Sequence, residues 1–162
     1  MSYAVYTTRG WILGSAPSGE ASKMYVLYTE DFGLVTARAQ GVRLLSSKMR
    51  YNLAEYALCD ISLVRGKEFW RLTGATAVAL PDSGKLARAR VLHLVRRLVQ
   101  GEERNEKLFR ALGNLASEDA SETDALCEVL SALGYLDLGV LVGKSEREKI
   151  RSINKALQET QL

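Results

Sequence analysis

Lys23-Met24-Tyr25-Val26-Leu27-Tyr28-Thr29-Glu30-Asp31-Phe32-Gly33-Leu34-Val35-Thr36-Ala37-Arg38-Ala39 decides the architecture of the first half of this chain. Lys23 to Thr29 is rich in residues that favour extended backbone. Glu30 to Gly33 is a tight-turn sequence, and Leu34 to Ala39 resumes the extended character. Upstream, Gly10 to Leu13 begins another extended segment, and Ala16-Pro17-Ser18-Gly19 reads as a turn or bulge. Downstream, Ala57, Cys59, Ile61 and Leu63 alternate with Asp60 and Ser62, which is the period of a half-buried strand. Arg65-Gly66-Lys67 reads as a hairpin turn before a last strand over Phe69 to Val78. Five or so short strands, joined by tight turns and one longer loop, predict a small barrel rather than an open sheet.

The period changes after Pro81-Asp82-Ser83-Gly84. Val91, Leu94, Val95, Leu98 and Val99 recur at helical spacing, as do Leu108, Phe109, Leu112, Leu115 and Ala116. Leu126, Cys127, Leu130 and Leu133 form a third stripe, and Ile150, Ile153 and Leu157 a fourth. Asp82 or Ser83 is placed to cap the first helix; Ser121 to Asp124 and Ser145 to Glu148 have capping-box spacing. Gly101 and Gly134 stand where helices stop. The expected class is α+β, with a barrel domain over residues 1–80 and a small helical domain over residues 81–162.

Composition places the chain among ordinary globular proteins, with 47% hydrophobic and 25% charged residues in 162. The net charge of +3 is unevenly spread. Residues 1–80 carry nine Lys/Arg against six Asp/Glu, whereas residues 81–162 carry thirteen of each. The positive half also carries ten of the twelve aromatic residues. Cys59 and Cys127 are far apart and fall on apolar positions, so neither a disulfide nor a zinc site is expected. The N-terminus has no signal pattern, and no run approaches the ~18 apolar residues that span a bilayer. A cytoplasmic protein without membrane association is expected.

Little in the sequence suits catalysis. The single histidine, His93, lies mid-helix on the polar face, one turn from Arg90 and Arg97, and reads as a solvated side chain. Gly143-Lys144-Ser145 imitates the end of a phosphate-binding loop, but that pattern needs glycine where Leu138 stands, so Ser145 is read as a helix cap. Glu102/Glu103 and Glu118/Asp119 read as acids at helix starts, where they favour the helix dipole. No cofactor, metal or catalytic residue is expected, and the chain is read as a protein that is not an enzyme.

Binding is better supported. Phe32 to Ala54 is a 23-residue window with no acid, holding Arg38, Arg43, Lys48 and Arg50. Arg38 shares a strand face with Leu34 and Thr36, opposite Val35, Ala37 and Ala39; the other three cations lie on the loop beyond. Such cations neutralise phosphates and give salt-sensitive affinity for a polyanion. Tyr25, Tyr28, Tyr51, Tyr56 and Trp70 either stack on bases or fill the barrel core, and Tyr51, inside the charged loop, is the first choice for an exposed ring. A second cluster, Arg88, Arg90, Arg96 and Arg97, crowds the first helix with no acid between Asp82 and Glu102. It is either a solvated face or a cleft for an acidic peptide or more nucleic acid.

The segment from Gly10 to Arg43 resembles the opening of the RecO family of bacterial recombination mediators. The matching features are Gly19-Glu20, Lys23, Thr29, Glu30 to Gly33 and Ala39-Gln40-Gly41-Val42-Arg43. Ser47-Lys48-Met49-Arg50 through Asp60, and Val64-Arg65-Gly66, continue the likeness; Leu130 to Tyr135 extends it loosely. The resemblance implies an N-terminal OB-fold followed by a helical domain. It also implies binding to single- and double-stranded DNA, strand annealing, cooperation with RecR, and contact with the acidic tail of single-strand-binding protein so that recombinase loads. On this reading Lys23, Arg38, Arg43, Lys48, Arg50 and Tyr51 contact DNA, and Arg90, Arg96 and Arg97 hold the tail peptide. Many members carry a four-cysteine zinc module after the Leu-Gly-Tyr segment. Here Leu136 to Lys144 stands in its place, so a short form without zinc is expected. Two alternatives stay open: an adaptor whose arginine-rich helix grips an acidic tail, and a generic single-stranded RNA-binding protein.

Overall fold

The computed structural model describes residues 2–161. They form two compact units, one running to Leu80 and including Gln100–Arg104, the other comprising Pro81–Val99 and the chain from Asn105 onward.

The first unit is a closed five-stranded barrel built from β1 (Val5–Ser18), β2 (Ser22–Thr29), β3 (Gly33–Ala39), β4 (Leu58–Val64) and β5 (Trp70–Ala77), ordered β1-β2-β3-β5-β4. This is an OB-fold. The long first strand serves two partners: Val5 to Trp11 pairs with β4, and Gly10 to Ser18 with β2. A bulge between Ile12 and Gly14 interrupts its register with β2. Such bulges bend a strand and let it turn a barrel corner. The expected turn at Ala16 to Gly19 is therefore corrected. Strand pairing continues through Pro17↔Lys23 to Ser18↔Ser22, and the reversal falls at residues 19–21. Closure comes from a short parallel contact, Ala37↔Trp70 and Arg38↔Arg71. Alternation fills the interior with Ile12, Tyr25, Leu27, Val35, Ala37, Cys59, Ile61, Leu63, Trp70 and Leu72.

The turn after β2 shows why its residues are needed. Thr29 Oγ1 accepts from the Phe32 amide and donates to the Gly33 carbonyl, both at 3.0 Å. Gly33 has φ +67, and a Cβ there would lie 2.2 Å from the Glu103 carbonyl oxygen. Only glycine admits that backbone so close. Residues 100–104 thus pack on the barrel, and the Leu34 amide bonds the Gly101 carbonyl at 3.3 Å. The reading of Glu102 as a helix-start acid is corrected in consequence. Its carboxylate accepts from Arg65 Nη1 at 2.8 Å and from Trp70 Nε1 at 3.0 Å.

The second unit contains α1 (Lys85–Leu98), α2 (Glu106–Gly113), α3 (Glu122–Ala132) and α4 (Glu146–Glu159). Three helices are capped by side chains. Asn105 and Ser121 accept from the amides of Leu108 and Asp124, and Ser145 with Glu148 completes a reciprocal capping box. Those bonds hold the Glu148 carboxyl below its usual range. The first helix departs from expectation: its N-cap is Gly84, in the left-handed region, and neither Asp82 nor Ser83 caps it. Its buried face is also rotated. Leu92 is fully buried with Val91 and Val95, whereas Leu94 and Leu98 are only half-buried. Among the described residues no helix is long and apolar enough to cross a membrane.

Candidate nucleic-acid interface

The acid-free window builds one end of the barrel. Its loop leaves β3, makes a short 3₁₀ turn at Met49–Tyr51 and enters β4. Both arms are pinned by apolar burial, with Val42 and Leu53 part of the core cluster. Polar bonds fix the base. The Arg43 amide donates to Ala21 O at 2.9 Å, the Gly41 amide to Ser22 Oγ at 3.2 Å, and Asn52 Oδ1 accepts from the Ala77 amide at 3.1 Å. The protruding residues between these anchors are thus held by the barrel.

Lys23, Arg43 and Arg50 converge on a cleft of about 330 Å³, lined also by Tyr25, Val42 and Leu53. Lys23 reaches it because it shares the inward parity of Tyr25 at the barrel end, where side chains emerge into the mouth. Arg43 is exposed, and its Nη1 donates to Gly19 O at 3.0 Å, which orients the guanidinium over the mouth. Lys48 is exposed on the same loop and does not line the cleft. Tyr51 is 74% exposed, and the Arg50 guanidinium lies 4.8 Å from its ring centroid. That contact presents a flat aromatic face beside a cation. Arg38 stands apart from this group on the outer wall of β3, across from Met24.

Of the other rings left open between stacking and core, three are buried. Tyr25, Tyr28 and Trp70 are at most 2% exposed; Tyr25 and Trp70 belong to the barrel interior, whereas Tyr28 is buried on the opposite face of β2, across from Trp11 and Leu34. Burial pushes the Tyr28 phenol up to about 12 and raises that of Tyr25. Trp70 packs against Tyr6 and Phe32, with Arg65 over its ring at 4.5 Å. Tyr56 is half-buried with φ 63. Two residues were missed in the sequence. Leu44 and Leu45, 52% and 84% exposed, are apolar yet protrude from the basic loop. Their adjacency beside Arg43, Ser46, Ser47 and Lys48 was the available signal.

The helical cluster divides. Arg88 is 5% exposed and is not a surface cation: it donates to the carbonyls of Pro81, Ser83 and Leu115 at 2.8, 3.3 and 3.4 Å. Arg90 is exposed but pairs with Glu122 at 3.3 Å. Arg96 and Arg97 are exposed in the last turn of α1, and His93 is exposed one turn earlier. Both cysteines are buried free thiols; burial pushes Cys59 up to about 11 and raises Cys127. Among the described residues no cluster of His, Cys, Asp and Glu is arranged to hold a metal ion.

Comparison with known proteins identifies the family. Residues 1–81 match the family described as Recombination protein O N terminal. The DNA repair protein RecO of Rubrobacter xylanophilus is 33% identical over 75 residues, which cover 46% of this chain and 30% of that protein. A Dehalococcoides mccartyi protein of the same description (strain BAV1) is 26% identical over 165 residues, covering 96% of this chain and 63% of the relative. That of Gloeobacter violaceus is 30% identical over 97 residues, 57% of this chain and 37% of the relative. The chain therefore spans less than two thirds of the length of these relatives.

Proposed function

Because the chain belongs to the RecO family, we propose that it is a cytoplasmic DNA repair and recombination mediator with no catalytic chemistry of its own. It binds single- and double-stranded DNA, promotes annealing and helps recombinase load on DNA coated by single-strand-binding protein. The observation that carries this reading is the acid-free mouth, where Lys23, Arg43 and Arg50 line one cleft and Tyr51 stands exposed beside it. Neutralising phosphates there holds two backbones close while bases pair. The test is a band-shift titration of the wild-type protein on single- and double-stranded DNA at two salt concentrations. Both DNAs should bind, with affinity falling steeply as salt rises. Binding that ignores salt contradicts the reading. Preference for RNA in a competition assay would favour the RNA-binding alternative.

Tyr51 distinguishes the two DNA forms. Its exposed ring lies off the strands, so Tyr51→Ala should weaken single-strand binding by roughly 1–3 kcal/mol and leave duplex affinity nearly unchanged. Equilibrium titration of both forms checks this, and a collapse of thermal stability would mean that the ring supports the fold instead.

The helical unit is the proposed seat of partner binding, for the acidic tail of single-strand-binding protein and in cooperation with RecR. Arg96 and Arg97 support this because neither pairs with an acid among the described residues; Arg90, held by Glu122, contributes less. Arg96→Glu/Arg97→Glu should abolish calorimetric binding of the tail peptide while DNA binding persists. Equal affinities in wild type and variant would reject this site.

A further inference from the structure

We propose a second phosphate-binding site on the outer wall of the barrel, formed by Arg38 and Arg71 at the β3–β5 seam and oriented by Tyr3. The inference rests on the nucleic-acid reading of the barrel and extends the path of the backbone beyond the mouth. The parallel closure places Arg38 and Arg71 directly opposite one another. Both point outward, because their neighbours Ala37, Ala39, Trp70 and Leu72 fill the core. The register continues this outer row through Met24 on one side and Val64 and Val5 on the other, so the row contains no carboxylate.

Adjacent strands lie about 4.8 Å apart, and like charges directly opposite each other repel. Among the described residues no ion pair involves either arginine, and Arg38 Nε is enclosed without an acceptor. Arg38 nevertheless stays partly exposed, and Arg71 is exposed. Tyr3, 61% exposed, lies against Arg71 with the guanidinium 5.0 Å from its ring centroid, which limits the orientations of that planar fork. Two adjoining guanidinium forks suit the oxygens of one phosphodiester, which can accept from both. Electrostatic repulsion in the free protein becomes attraction in the complex. Arg71 lies well outside the acid-free window, and only the barrel closure brings it to Arg38.

The experiment measures anisotropy of a labelled oligothymidylate with wild type, Arg71→Ala, Arg71→Lys, Arg38→Ala and the double alanine variant over a range of salt. Arg71→Ala should weaken binding about tenfold at low salt and lower the log–log salt slope by about one. Arg71→Lys should keep the slope but lose several-fold in affinity, since an ammonium lacks the planar fork. The double variant should lose less than the product of the two single losses, because both side chains hold one phosphate. Without DNA, Arg71→Ala should melt no lower than wild type at low salt, because a repulsive pair has been removed. At matched ionic strength, inorganic phosphate should displace the oligothymidylate more than chloride does from wild type, and this excess should shrink in the double alanine variant; an excess unchanged by the two substitutions would overturn the site. A folded Arg71→Ala with wild-type affinity and slope, beside a loop variant that has lost DNA, overturns this site alone. A wild-type protein that binds no DNA removes this inference together with the function proposed for the barrel.

Discussion

Gly33→Ala is expected to cost the barrel about 2–6 kcal/mol of unfolding free energy. Two penalties combine. A side chain at φ +67 is strained, and its Cβ would sit 2.2 Å from the carbonyl oxygen of Glu103. Backbone cannot yield there as a flexible side chain would. The displaced segment carries Glu102, whose carboxylate bonds Arg65 and Trp70. Loosening it should therefore also disturb the aromatic packing of Trp70 with Phe32. Gly19→Ala is the control, since Gly19 has φ +72 but nothing within 4 Å of the added Cβ. It should lose only the conformational penalty, about 1–2 kcal/mol. Denaturant unfolding of the two variants checks the difference. Equal losses would show that the approach of Glu103 does not matter.

Arg88→Ala should be the most damaging arginine substitution in α1, at about 2–5 kcal/mol. The side chain is almost wholly buried and supplies the hydrogen bonds that join the chain before α1 to the Leu115 carbonyl. Its removal leaves three carbonyls short of donors and empties the space its stem fills. Arg96→Ala, in the exposed last turn, should change stability by less than about 0.5 kcal/mol. Thermal or chemical denaturation of both variants checks the contrast. Similar values would mean that solvent replaces the guanidinium at little cost.

These two positions show how far the sequence could be read. Alternation along β3 and β4, and the turn residues around Gly33, made the strands and the barrel legible. The four helices were legible from their apolar spacing, and Ser121 and Ser145 from their offsets to Asp124 and Glu148. What failed was non-local. Arg88 reads as one more surface cation because its acceptors at Pro81, Ser83 and Leu115 follow no helical spacing. Glu102 looks like a helix-start acid because Arg65 and Trp70 are more than thirty residues away. Composition cannot separate stacking rings from core rings. Tyr25 and Trp70 lie on strands and turn inward, Tyr28 is buried on the other face of its strand, and Tyr51 lies in the loop and stays exposed. Arg43 and Arg50 were legible as loop cations, but their meeting with Lys23 at one cleft depends on how the barrel closes.

The central claim is that the cations at the barrel mouth hold DNA by its phosphates. It is tested most directly by the salt dependence of DNA affinity in wild type and in the variant with Arg43, Lys48 and Arg50 all changed to Ala. Arg43 and Lys48 are exposed, Arg50 is half-buried, and none of the three is in an ion pair among the described residues, so the variant should fold. The variant should bind every sequence more weakly, with a log–log salt slope reduced by about two to three. A folded variant with unchanged affinity and unchanged slope would contradict it.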